Sequence, residues 1–116
     1  MIVDDSVFMR NVLGTMLAMK GYTVVAEADD GAEAVEQYLA LRPRIVFMDV
    51  LMPRKTGKDA AREILSVDSD AKVVMCSSLG HDELVKAALE SGVSEVLFKP
   101  YRDSHLDEVL QRICRC

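Results

Sequence analysis

The run Ile45-Val46-Phe47-Met48 stops on a carboxylate, Asp49, before closing with Val50-Leu51-Met52-Pro53. A short segment that is apolar at every position reads as a parallel strand covered on both faces. Its first polar residue then marks where the strand leaves the sheet, which puts Asp49 at the carboxyl end. In open parallel α/β sheets that end is where ligands and chemistry collect, because the loops there converge on a crevice outside the strand tips. A search for function therefore starts at Asp49.

The rest of the chain supplies neighbours for this strand. Met1-Ile2-Val3 is apolar and runs directly into Asp4-Asp5. Three residues are short for a strand, so the expectation is that residues are missing upstream. Ser6 offers an N-cap for a helix carrying Phe8, Val12, Leu13, Met16 and Leu17, and Lys20-Gly21 supplies its stop. Thr23 to Ala28 is β-branched and apolar enough for a second strand. Asp29-Asp30-Gly31 turns into a helix with Ala34, Val35, Tyr38 and Leu39 inward, ended by Arg42-Pro43. After the loop Arg54-Lys55-Thr56-Gly57, a third helix from Lys58 to Ser66 carries Ala61, Ile64 and Leu65. Lys72 to Cys76 is a fourth strand and Ser77-Ser78-Leu79-Gly80 a loop. Asp82 to Glu90 is a helix with Leu84, Val85, Ala88 and Leu89 on one face, capped by Ser91-Gly92. Glu95 to Phe98 is a fifth strand interrupted by Lys99-Pro100, and Asp103 or Ser104 caps a last helix with Leu106, Val109, Leu110 and Ile113 inward. The seven methionines fall at helix-face or strand positions and read as core.

Five strands alternating with five helices on short connections predict one α/β domain over residues 1–116, a doubly wound parallel sheet with helices on both faces. A chain of this length buries about two-thirds of its unfolded surface, enough for a real core. No segment approaches the apolar length of a membrane span and no basic-then-apolar leader is visible, so the expected location is the cytoplasm, without a membrane partner. The net charge of −5 disfavours nucleic acid as a partner. Three cysteines make an odd count without a disulfide framework, in keeping with a reducing compartment. Cys114 and Cys116 supply only half of a tetrahedral metal site.

Four strand ends carry polar residues where the strand before them is apolar: Asp4 and Asp5, Asp49, Ser77, and Lys99. Each alone reads more simply as a cap, a turn residue or a solvated strand end. Together they face one crevice. Three carboxylates a few ångströms apart repel by about 1–4 kcal/mol per close pair, so they raise a pKa or recruit a cation. An all-oxygen cluster favours a hard divalent ion, Mg²⁺ with several waters retained. A lysine and a hydroxyl opposite it supply positive charge and a hydrogen bond for a tetrahedral anion, which describes a site for phosphoryl transfer.

With these residues in place the sequence resembles the receiver domain of two-component response regulators over its whole length. The matching motifs are Val3-Asp4-Asp5-Ser6, Asp49 to Pro53 with Gly57 following, Cys76-Ser77-Ser78, and Lys99-Pro100. The opening Asp-Asp-Ser-Val-Phe-Met-Arg looks most like the single-domain chemotaxis regulators of the CheY type. The resemblance implies a flavodoxin-like strand order 2-1-3-4-5 and phosphorylation of Asp49 by a CheA-like sensor histidine kinase. It implies Mg²⁺ held by Asp5 and Asp49 with the backbone carbonyl of Leu51, and Asp4 acting through water. Ser77 would hydrogen-bond the phosphoryl group, Lys99 would pair with it, and the bond before Pro100 would be cis. The readout would be the fourth helix, fifth strand and fifth helix, presented to a flagellar motor component or a phosphotransfer protein. Such a domain is a phosphoacceptor and switch that assists its own phosphorylation and dephosphorylation, not a turnover enzyme.

One position departs from the family pattern. Val96 stands where many receivers carry an aromatic switch, three residues before the lysine. Phe98, on the same side of the strand, reads as core filling, and Tyr101 is a second aromatic candidate expected at the surface. A flavin or nucleotide binder on the same sheet would need a phosphate cradle after the first strand, where Asp4-Asp5 would repel the phosphate. A phosphatase or phosphotransferase with an Asp nucleophile would need a second acid or base, which Leu51 does not provide. A phosphorelay intermediate remains open within the family.

Overall fold

The computed structural model describes residues 1–52, 54–78, 82–90 and 92–114. In chain order the elements are β1 (Ile2–Val3), α1 (Val7–Met19), β2 (Glu27–Ala28), α2 (Gly31–Leu41), β3 (Val46–Asp49), α3 (Gly57–Val67), β4 (Val73–Ser78), α4 (Asp82–Glu90), β5 (Glu95–Lys99) and α5 (Asp103–Ile113). All four strand pairings are parallel, in the order β2-β1-β3-β4-β5. The expected doubly wound α/β sheet is thus present, with β3 at its centre.

Strand alternation sorts the core into two layers. Val3, Val46, Met48, Val73 and Met75 point to one face, where they pack with Ala34 and Tyr38 of α2 and Ala60, Ala61 and Ile64 of α3. Their neighbours Ile2, Phe47, Val74, Cys76 and Leu97 point to the other, against Leu13 and Leu17 of α1 and Leu106, Val109 and Leu110 of α5. A two-residue period is what separates these sets, and it places every β3 residue in the interior. Burial of twelve large side chains at under 2% exposure, from Val3 to Val109, makes this double layer the main source of stability.

Local signals set most helix starts. Ser6, Asp30 and Thr56 each accept an N–H from the residue three positions on, at 3.2, 2.8 and 3.2 Å. The last helix differs from expectation. Arg102 occupies its N-cap with no side-chain bond, and Asp103 is already helical. Asp103 and Asp107 instead hold Lys20, the C-cap of α1, at 2.8 and 2.7 Å.

Other expectations need correction. The second strand spans only Glu27–Ala28, not Thr23 to Ala28. The ladder explains this, because β1 offers just Ile2 and Val3 as partners for Glu27 and Ala28, and the residues before Glu27 have no strand beside them. The fourth strand runs through Ser78, so Ser77 lies within the sheet and not in a loop. Phe8, Met19, Leu39 and Leu89 are exposed where a helical stripe or core position was expected. A helix laid on a flat sheet buries a narrow stripe, here Gly31, Ala34 and Tyr38 on α2, and Leu39 is one residue round from it. The reading of Leu84, Val85 and Ala88 as inward, and of Ser91 as part of a cap, lies outside the described residues.

The return of the chain after β3 depends on main-chain contact. Gly57, the first residue of α3, donates its N–H to the Val50 carbonyl at 3.0 Å. A β-carbon on Gly57 would fall 1.9 Å from the Asp49 carbonyl oxygen, where nothing flexible can give way. Gly21, by contrast, has an open surround and needs glycine only for its φ of +87°. Gly57→Ala should therefore cost at least about 2 kcal/mol in chemical denaturation and Gly21→Ala about 1 kcal/mol. Equal costs would contradict the close approach at Asp49.

Candidate functional site

Each site residue is positioned by the strand it ends. Asp49 closes β3, Lys99 closes β5, and Asp4 and Asp5 follow β1. In the ladder Asp49 sits opposite Cys76, which places Ser77 one residue further along, and Ser78 sits opposite Lys99. Asp4, Asp49 and Ser77 are buried and Asp5 is exposed. Carboxylate oxygens of Asp4, Asp5 and Asp49 come within 4.8 Å of one another.

Lys99 spans these groups from the far side of the sheet. Its ammonium donates to Asp4 Oδ2 at 2.7 Å and lies 3.4 Å from Asp49 Oδ1. The other Asp4 oxygen, Oδ1, accepts the N–H of Ser6 at 2.9 Å. Arg10, one turn into α1, donates to the Asp4 carbonyl at 2.6 Å and pairs with Glu27 at 3.1 Å. Arg10 thus pins the loop that carries both acidic residues. The one signal of this role in the sequence is its place four residues after the Ser6 cap, facing back along the helix.

Charge in the crevice is not balanced. Burial, followed by the charge of Asp4, pushes the Asp49 carboxyl up from 3.8 to about 6, against the opposing pull of Lys99. Burial disfavours the Lys99 charge, but the hydrogen bond to Asp4 and the charges of Asp49 and Asp4 outweigh it and hold the ammonium above its usual value. Among the described residues the one cation paired with these three carboxylates is Lys99, so an additional positive charge would relieve the excess. The donors are all oxygen, which suits a hard divalent ion. The residues therefore fit Mg²⁺.

Other candidates fall out differently. The Ser77 hydroxyl is turned onto its neighbour and donates to the Ser78 carbonyl at 3.0 Å. The Lys99-Pro100 peptide is cis, as the resemblance implied. Val96 packs against the core face that carries Met48 and Met75. Phe98 is half-buried and stacks on His105 of α5, with centroids 6.3 Å apart and planes at 18°, so it is not simple core filling. Tyr101 is not a surface ring. It is partly buried on the opposite core face beside Cys76, and burial followed by that thiol raises its pKa. Leu51 is exposed in the loop after β3.

Among the described residues no helix is long and apolar enough to cross a membrane. The sequence model of the response regulator receiver domain matches residues 1–111. The chemotaxis protein CheY of Thermotoga maritima is 40% identical, over 99% of this chain and 96% of that protein. CheY of Bacillus subtilis is 40% identical over 97% of this chain and 92% of its own. Among solved structures, a CheX–CheY–BeF₃–Mg²⁺ complex from Borrelia burgdorferi superposes with a TM-score of 0.91 at 33% identity, covering 97% of this chain and 86% of that one. The β2-β1-β3-β4-β5 sheet, the acidic cluster at its tips and these likenesses agree: the chain belongs to the response regulator receiver domain family and is CheY-like.

Proposed function

We propose that this chain accepts a phosphoryl group on Asp49 from a CheA-like histidine kinase in the cytoplasm and relays the change through α4, β5 and α5 to a partner, in chemotaxis. The observation that carries the reading is the Asp49 carboxylate, held at the end of a buried strand between Asp4 and the Lys99 ammonium. An Asp49 oxygen forms the new bond to phosphorus as the phosphorus–nitrogen bond of the donor histidine breaks, and the electron pair leaves on the imidazole, which takes a proton from solvent. Lys99, already 3.4 Å from Asp49, pairs with the incoming oxygens. Asp4, Asp5 and Asp49 with the Leu51 carbonyl would hold Mg²⁺, which when bound supplies neutralisation of charge on the phosphoryl oxygens. The likeness to chemotaxis proteins from several organisms supports a motor component or a phosphotransfer protein as the receiver of the signal.

Asp49→Asn tests the acceptor directly. Incubation with acetyl phosphate and Mg²⁺ should label the parent stoichiometrically and leave the variant unlabelled; a labelled variant would end the assignment.

The raised pKa of Asp49 has a thermodynamic sign. A carboxyl that binds its proton more tightly folded than unfolded adds stability below about pH 4, and that contribution is lost as pH rises through about 6. The rise from 3.8 to about 6 corresponds to at most about 3 kcal/mol, reduced to about 1–2 kcal/mol at a crevice open to solvent. In metal-free buffer Asp49→Asn should be the more stable protein at pH 7.5 by this amount, and the difference should vanish below pH 4. A parent as stable as the variant at pH 7.5 would show that Asp49 is not under this stress.

Output follows from Ser77. New charge on Asp49 draws its hydroxyl from the Ser78 carbonyl at the end of β4. Val96 is small and stiff and changes little volume, whereas the Phe98–His105 stack lies on the β5–α5 surface. Beryllofluoride should shift amide resonances across residues 77–105 and leave α2 and α3 little changed. Shifts concentrated in α2 and α3 would defeat this route.

A further inference from the structure

The loop between β3 and α3 is fastened to the molecule at a point that the proposed chemistry does not use. Arg54 lies in it with an exposed side chain and a left-handed backbone, φ 65°, which a non-glycine residue keeps only when its surroundings hold it. The holding group is Asp30, which accepts a hydrogen bond from Arg54 Nη2 on Oδ2. Asp30 is buried, and its other oxygen accepts the Glu33 N–H at 2.8 Å to cap α2, so the carboxylate has a fixed orientation. One residue on, the Lys55 carbonyl lies so close to Gly31 that a β-carbon there would sit 2.4 Å from it. At its far end the loop is tied by the bond from the Gly57 N–H to Val50. Leu51, whose carbonyl the preceding reading assigns to Mg²⁺, lies between these fastenings.

We infer that Arg54 is a positioning residue for the acidic site: through its ion pair with Asp30 it holds the loop that carries the Leu51 carbonyl. The inference rests on the metal reading given above. A carbonyl in a free loop must be ordered when it takes up a ligand, and the entropy lost then weakens binding, whereas a loop ordered beforehand does not incur that loss. Asp30 performs two tasks at once, capping α2 and fixing the neighbouring loop, which accounts for the burial of its carboxylate.

The test measures Mg²⁺ affinity by calorimetry and hydrogen exchange at the amides of Leu51, Met52, Arg54 and Lys55. It compares the parent with Arg54→Ala, Arg54→Lys, Asp30→Asn and the Arg54→Ala/Asp30→Asn double variant. Arg54→Ala should bind Mg²⁺ about tenfold more weakly and exchange faster at those amides. Its melting temperature should stay within a few degrees of the parent, because the side chain is mostly exposed. Asp30→Asn retains a capping oxygen and should match it, the double variant should be no worse than either single one, and Arg54→Lys should recover most of the affinity. Parent-like Mg²⁺ affinity in Arg54→Ala, unchanged exchange in the loop, or additive losses in the double variant would each overturn the inference. A parent that itself fails to bind Mg²⁺ would remove the metal reading, and this inference with it.

Discussion

A single ammonium holds together the tips of three strands. Lys99 reaches from the end of β5 across the sheet to Asp4 after β1 and Asp49 at the end of β3. The reach works only because the ladder sets Ser78 opposite Lys99 and Asp49 opposite Cys76, so that the outer strand ends slightly beyond the inner one. A register slip of one residue in β5 would send the side chain to the wrong face. The double-layered core, which locks that register through Val96 on one side and Leu97 on the other, is thus a precondition for the electrostatics of the crevice.

That electrostatic arrangement is deliberately incomplete in its charge. Lys99 satisfies Asp4 at hydrogen-bond distance and Asp49 only at 3.4 Å, and its pull does not offset the burial and the Asp4 charge that raise the proton affinity of the Asp49 carboxyl. Among the described residues no buried side-chain polar atom lacks a hydrogen-bond partner, so the tension is one of net charge and not of missing hydrogen bonds.

The sequence made the centre of the fold legible because an all-apolar run ending on Asp admits few placements, and strand tips in a parallel sheet share one side. Asp4, Asp5, Asp49 and Lys99 were found this way, and the structure brings them together. Ser77 was found but misplaced, since a polar Ser-Ser pair reads as a loop when its backbone pairing with Phe98 and Lys99 is invisible. The second strand was overread for the complementary reason: Thr23 to Val25 has strand propensity, and propensity cannot show whether a neighbour exists to pair with. The contacts of Arg10 and the Arg54–Asp30 pair are not legible in the sequence because the partners are a backbone carbonyl and residues 17 to 24 positions away, contacts that leave no periodic trace. Tyr101 was assigned to the surface on its position after Pro100, but the turn folds it back onto Cys76.

The contact between Gly57 and the Asp49 carbonyl bears on how this chain can vary. The N–H of Gly57 closes a ring onto Val50, so the segment between them is a loop of set length whose two ends touch through main chain alone. One inserted or deleted residue would move Gly57 off the carbonyl it must approach, or bring a side chain into a space that admits none. Substitution at Leu51, which is exposed, meets no such obstacle. Descendants of this sequence are accordingly free to change the chemistry displayed beside Asp49 while the number of residues displaying it stays fixed.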